Sequence, residues 1–116
     1  MHELSIALSI LEFAEEEAQR RGHAARLEAI HLKVGPLSGV VKEALLTAYQ
    51  LASEQTPLAD CRLVIEEIPI AIYCSQCRAE RPVRSIQSFR CVECDTPGCQ
   101  VVHGRELQIS ALELLE

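Results

Sequence analysis

The chain has 116 residues, 48% of them hydrophobic, with eleven basic against seventeen acidic side chains and a formal net charge of −6. That length suits one domain, or one small core carrying a satellite too polar to fold unaided, and the acidic balance repels a phosphate backbone unless the basic residues are segregated onto one face. The six cysteines would fit a secreted disulfide scaffold, but the apolar run Leu4 to Leu11 has no basic lead-in, runs into Glu15, Glu16 and Glu17, and is too short to span a bilayer. The expectation is a cytoplasmic protein with reduced thiols and no membrane segment.

Residues 4 to 21 place Leu4, Ala7, Leu8, Leu11, Ala14 and Ala18 at three- and four-residue spacing, which predicts an amphipathic helix with an acidic outer face. Arg20, Arg21 and His23 suit its carbonyl end, and Gly22 can take the left-handed stop. From Arg26 to Val34 the period becomes two, with Ile30, Leu32 and Val34 on one face and Leu27, Ala29, His31 and Lys33 on the other. His31 reads there as an ordinary half-exposed strand residue.

Gly35-Pro36 ends that strand. Ser38 is the expected N-cap of a second helix running to about Glu54, with Val41, Leu45, Ala48 and Ala52 buried and Thr56-Pro57 as its stop. A second strand, Arg62 to Ile70, follows; Cys61 at its start reads as a buried or idle thiol.

The strand leads into two knuckles, Cys74-Ser-Gln-Cys77 and Cys91-Val-Glu-Cys94, separated by thirteen residues. Two such turns brought together supply four thiolates to one tetrahedral ion, and zinc favours that set. The segment between them is polar, so a metal there replaces a missing hydrophobic core. Arg78, Arg81, Arg84 and Arg90 cluster in the same segment. They could serve a nucleic-acid-binding ribbon, or offset the formal charge of −2 on a four-thiolate zinc centre; four thiolates could also hold iron, as in a rubredoxin-like electron carrier. Cys99 and His103 are further donors, but a tetrahedral ion is complete without them. From Glu106 the alternation Leu107, Ile109, Ala111 predicts a third strand, although Leu112, Leu114 and Leu115 blur its period.

The order is thus helix, strand, helix, strand, metal-bound insert, strand, an α+β arrangement. It divides into an α/β unit of residues 1–71 and 104–116 and a metal-binding unit of residues 72–103. No nucleophile with its base and no phosphate-binding glycine loop stands out, so the chain does not read as an enzyme.

The start, Met1-His2-Glu3, has specific chemistry. The Met1 α-amine, the His2 backbone nitrogen and the His2 imidazole can close adjacent chelate rings in one plane, and a square-planar nitrogen set favours Ni(II) or Cu(II).

Together, Met1-His2-Glu3-Leu4-Ser5, Gly35 after the first strand, the two knuckles and the closing Gly104-Arg-Glu-Leu107 resemble the HypA/HybF family of hydrogenase maturation proteins over nearly the whole chain. The resemblance implies a three-stranded sheet packed with two helices plus a zinc-ribbon-like insert. It further implies a carrier that binds nickel at His2 within the Met1, His2, Glu3 motif and structural zinc at Cys74, Cys77, Cys91 and Cys94. Its implied partners are a nickel-inserting GTPase of the same pathway and the large subunit of a [NiFe]-hydrogenase, with no nucleic acid or membrane involved. Cys61, Cys99 and His103 depart from the family's motifs.

Overall fold

The computed structural model describes residues 3–22 and 26–114. Helix α1 spans Glu3–Arg20, strand β1 Leu27–Val34, a 3-10 turn Pro36–Ser38, helix α2 Lys42–Ser53 and strand β2 Arg62–Glu67. Strands β3 (Ala71–Cys74), β4 (Ala79–Pro82) and β5 (Gln100–His103) belong to the insert, and β6 (Leu107–Leu114) closes the chain. One sheet has the order β2-β1-β6 and the other β4-β3-β5.

Strand β1 is central to the first sheet because it carries the apolar run that both neighbours and the helices bury. It pairs parallel to β2, with Ile30 opposite Leu63, and antiparallel to β6, with Leu32 opposite Ile109. Its Ile30 and Leu32 meet Ala7, Ile10, Leu11, Ala14 and Ala18 of α1 and Leu45 and Tyr49 of α2 in one core. The expected three-stranded sheet with two helices is what forms.

Several local expectations are corrected. Leu4 and Leu8 are about half exposed, at 53% and 52%, and Ile10 takes the buried place instead; the small residues Ala7, Ala14 and Ala18 set the helix phase by close approach. Ser38 does not cap α2. It ends the 3-10 turn, its hydroxyl accepts from the Val40 N–H at 3.2 Å, and the helix begins four residues later with Val41 as N-cap. Val41 itself is exposed, and Tyr49 fills the core position that the sequence stripe omitted, its hydroxyl donating to the Cys61 carbonyl at 2.9 Å. Burial pushes the Cys61 thiol up, as expected for a thiol acting as a small hydrophobe.

The predicted strand Arg62 to Ile70 is two strands, β2 and β3, belonging to different sheets. In β6 the pairing jumps from Leu32 opposite Ile109 to His31 opposite Ala111, so Ser110 is an extra residue. That bulge switches the strand's phase. Leu107, Ile109, Leu112 and Leu114 therefore all pack on the core while Ala111 is exposed. On the outer face His31 Nε2 pairs with the Glu113 carboxylate.

The insert leaves and returns through a narrow neck. A Cβ on Gly35 would lie 2.1 Å from the Gly104 carbonyl oxygen, and Gly104, at φ +120°, packs on Ile70. The Gly35 N–H donates to the Glu106 carbonyl at 2.8 Å and the Leu37 N–H to the Gly104 carbonyl at 2.7 Å. Only glycine backbone permits this approach, which gives Gly35 and the Gly104-Arg-Glu-Leu107 run a physical reason.

Candidate metal centre

Strand β3 delivers Cys74 at its last position, and the turn into β4 supplies Cys77. The second knuckle repeats the same construction. In each, the fourth residue after the first cysteine turns its N–H back to that cysteine's carbonyl: Arg78 to Cys74 at 2.7 Å and Asp95 to Cys91 at 2.9 Å. Both residues take positive φ, 56° at Arg78 and 61° at Asp95, a conformation side chains other than glycine, asparagine and aspartate rarely adopt. The equal offset of these two residues from their knuckles was the available signal for this turn, and their identities, Arg and Asp rather than Gly, concealed it.

The knuckles bring all four sulfurs within 4.8 Å of one another. Cys74 Sγ lies 3.5 Å from Cys94 Sγ, and Cys77 Sγ lies 3.8 Å from Cys91 Sγ. Disulfides would need about 2.05 Å. An ion bonded to four sulfurs at about 2.3 Å sets them about 3.8 Å apart, so the cluster fits a tetrahedral ion. Among the described residues this is the one group of three or more candidate donors so arranged.

The thiols are not equivalent. The Cys77 N–H donates to Cys74 Sγ at 3.4 Å and holds that thiol down at about 6, and the Cys94 and Glu93 amides lower Cys91 in the same way. Cys77 is pushed up to about 12 because its neighbours are the Cys94 and Cys91 sulfurs. One outer partner was not foreseen, the Thr96 hydroxyl, 3.0 Å from Cys94 Sγ. Arg90 is occupied with Asp95, its Nη1 donating to the Asp95 carbonyl at 3.2 Å. Of the clustered arginines, Arg90 thus braces the second knuckle.

Cys99 and His103 lie outside the four-sulfur group. The Cys99 thiol donates to the Thr96 carbonyl at 3.3 Å. His103 Nδ1 hydrogen-bonds to the Glu106 carboxylate at 3.0 Å, and its Nε2 faces Glu80 at 3.6 Å. Glu106 is also the neck's acceptor for the Gly104 N–H, at 2.6 Å. Burial works against its charge, yet that N–H and His103 hold its carboxyl below the usual range.

Of the other three predicted site residues, Met1 and His2 lie outside the described residues. Glu3 opens α1, and its Oε2 accepts from the Val41 N–H at 3.4 Å, at the start of α2.

A helix-covered sheet carrying a second, small sheet that brings four cysteines around one point defines an α+β protein with a candidate metal centre. Residues 1–114 match the family model described as hydrogenase/urease nickel incorporation, metallochaperone, HypA, and the chain belongs to that family. It is 47% identical over 113 residues to the hydrogenase maturation factor HypA of Chloroflexus aurantiacus, covering 97% of this chain and 98% of that one. It is 39% identical over 114 residues to the protein of the same name from Geobacter metallireducens, covering 98% and 99%. The fold resembles the solution structure of the Ni metallochaperone HypA from Helicobacter pylori, with a TM-score of 0.66 and 23% identity over 99% of this chain and 98% of that one. A second HypA solution structure gives a TM-score of 0.74 at the same identity, over 99% and 97%. These relatives are named as hydrogenase maturation factors and a Ni metallochaperone.

Proposed function

We propose that this protein is a cytoplasmic nickel carrier that delivers Ni(II) for maturation of a [NiFe]-hydrogenase. The observation that carries this reading is the family match, which runs through Met1-His2-Glu3 and both knuckles. The Met1 amine, the His2 backbone nitrogen and the His2 imidazole take up nickel as cargo, with Glu3 in the same motif. A chain end suits such a site, because a carrier must release what it binds. Cys74, Cys77, Cys91 and Cys94 hold a resident Zn(II), for which the sulfur spacing is right, and it stabilises the unit of residues 72–103. Residues 1–71 and 104–116 form the nickel-binding unit.

The partners on this reading are the nickel-inserting GTPase of the pathway and the hydrogenase large subunit. The test is metal analysis of untagged protein before and after nickel addition. One zinc per chain throughout and one further nickel after addition support the proposal. Iron with visible colour points to electron transfer instead, and a chain that takes up no nickel is not a nickel carrier.

A further inference from the structure

We infer that Thr96 is a positioning residue of the sulfur centre: its hydroxyl holds Cys94, and Cys94 is the corner at which the zinc site opens. The inference rests on the zinc reading above and adds to it a residue that the ligand set does not include.

The four sulfurs are unequally protected. Cys74 and Cys91 are buried, Cys77 is half-buried and Cys94 is exposed. The first cysteine of each knuckle also accepts a backbone N–H, Cys74 from Cys77 and Cys91 from Glu93, both at 3.4 Å. Cys94 has neither protection. Its neighbour Asp95 has already given its N–H to the Cys91 carbonyl at 2.9 Å. Among the described residues, the one hydrogen-bond partner of Cys94 Sγ outside the sulfur group is the Thr96 hydroxyl at 3.0 Å. A metal-bound thiolate carries no proton, so the hydroxyl is the donor.

The backbone puts that hydroxyl where it is. The Thr96 carbonyl accepts from the Cys91 N–H at 3.0 Å and from the Cys99 thiol at 3.3 Å. Pro97 disfavours the helical region for Thr96, and branching at Cβ leaves the hydroxyl few positions. One residue thus ties both cysteines of the second knuckle. The first knuckle has no counterpart, since the residue two after Cys77 is Ala79, and Cys77 is the more enclosed sulfur. The hydroxyl stands beside the ligand that is open to solvent. A chelator reaches Cys94 first, and the Thr96 hydrogen bond is what its attack must break.

The experiment uses the full chain, untagged and zinc-loaded, with zinc content measured first. Thr96→Val, which keeps the shape and drops the hydroxyl, is compared with Thr96→Ala, Thr96→Ser, the control Ser88→Ala and the parent for the rate of zinc transfer to a chromophoric chelator. Loss of an outer-sphere partner typically weakens a metal site by about 10- to 100-fold. Thr96→Val and Thr96→Ala should therefore transfer zinc at least about tenfold faster, while Thr96→Ser and Ser88→Ala should stay within about twofold of the parent. In cobalt-loaded protein the sulfur-to-metal charge-transfer band should shift in Thr96→Val and be restored in Thr96→Ser. Mass mapping after brief alkylation of the zinc-loaded parent should find Cys94 modified first among the four ligands, and faster still in Thr96→Val. Three results would each overturn the inference: transfer within about twofold of the parent in both Thr96→Val and Thr96→Ala, Thr96→Ser as fast as Thr96→Val, or another ligand alkylated before Cys94. If Thr96→Val fails to load zinc, Thr96→Ala decides, because alanine already occupies the matching place after Cys77, and the alkylation order in the parent needs neither variant. A parent protein with no zinc would refute the zinc reading itself, which is a different result from a Thr96 without effect.

Discussion

Gly35→Ala tests the neck that joins the two sheets. The new Cβ would stand 2.1 Å from the Gly104 carbonyl oxygen, 2.2 Å from its carbon and 2.7 Å from its Cα, all backbone atoms that no rotamer change can move. Relief requires the two strands of chain to part by about 1 Å, since carbon and oxygen do not approach much closer than about 3.0–3.5 Å without a bond. Parting of that size carries the Leu37-to-Gly104 hydrogen bond, now 2.7 Å, and the Gly35-to-Glu106 bond, now 2.8 Å, out of range. Two net bonds at about 1 kcal/mol each, plus the cost of at least one donor left dry, sum to about 3–4 kcal/mol. Against a typical stability of about 5–15 kcal/mol, that is a large fraction. It should lower the melting temperature by roughly 10–20 °C in a domain of this size. Urea unfolding of zinc-loaded protein by far-UV circular dichroism measures the loss, and hydrogen exchange at the Leu37 amide locates it. A variant within 1 kcal/mol of the parent, with the Leu37 amide still protected, would refute the reasoning.

Replacing Cys77 or Cys91 by Ala should abolish stoichiometric zinc binding and disorder the insert while the helices and the first sheet persist; amide spectra of each unit, with and without added zinc, separate the two outcomes. On the proposed nickel site, His2→Ala and a one-residue extension before Met1 should each abolish one-to-one Ni(II) binding by calorimetry without changing zinc content. In the parent, affinity should fade as pH falls through the imidazole range near about 6.5. Undiminished affinity in the extended chain would exclude the amine as a ligand. Glu106 supplies a pH dependence with a definite sign: its folded carboxyl is held low, so its contribution is complete above the unfolded range near about 4.3 and is lost as pH falls through the lower folded value. The parent should thus lose more stability than Glu106→Gln on acidification from about pH 5 to 3, and parallel losses would remove Glu106 from the account.

The element order was legible because each main element carries its own period, 3.6 in α1 and two in β1. What the period could not reveal was any place where geometry shifts it. The Ser110 bulge turns Leu112 and Leu114 inward, so a strand that read as blurred is apolar on one face throughout. The second sheet was invisible for another reason: β3, β4 and β5 have four residues each, too few for alternation to be distinguished from loop. Ser38 was a plausible cap by type, but Pro36 starts a 3-10 turn that uses Ser38 locally. The four-sulfur cluster was fully legible, since two knuckles leave the chain little choice. Its outer partner was not, because Thr96 is an ordinary residue until the turn after Cys94 brings its hydroxyl to that sulfur.

The described structure also links Glu3 to the sulfur centre. The Glu3 carboxylate is held at the N-terminal end of α2 by the Val41 amide, where the helix dipole favours negative charge. With that oxygen engaged, Glu3 ties the start of α1 to the N-cap of α2. The 3-10 turn just before that N-cap carries Leu37, whose amide is bound to Gly104 at the neck, and Gly104 in turn packs on Ile70 immediately before β3. A run of contacts therefore leads from Glu3 to the strand that ends in Cys74. On the proposed reading, this run joins Glu3 of the nickel motif to the zinc ligand Cys74. Any coupling along it must be reciprocal, with nickel changing zinc affinity by the same factor as zinc changes nickel affinity.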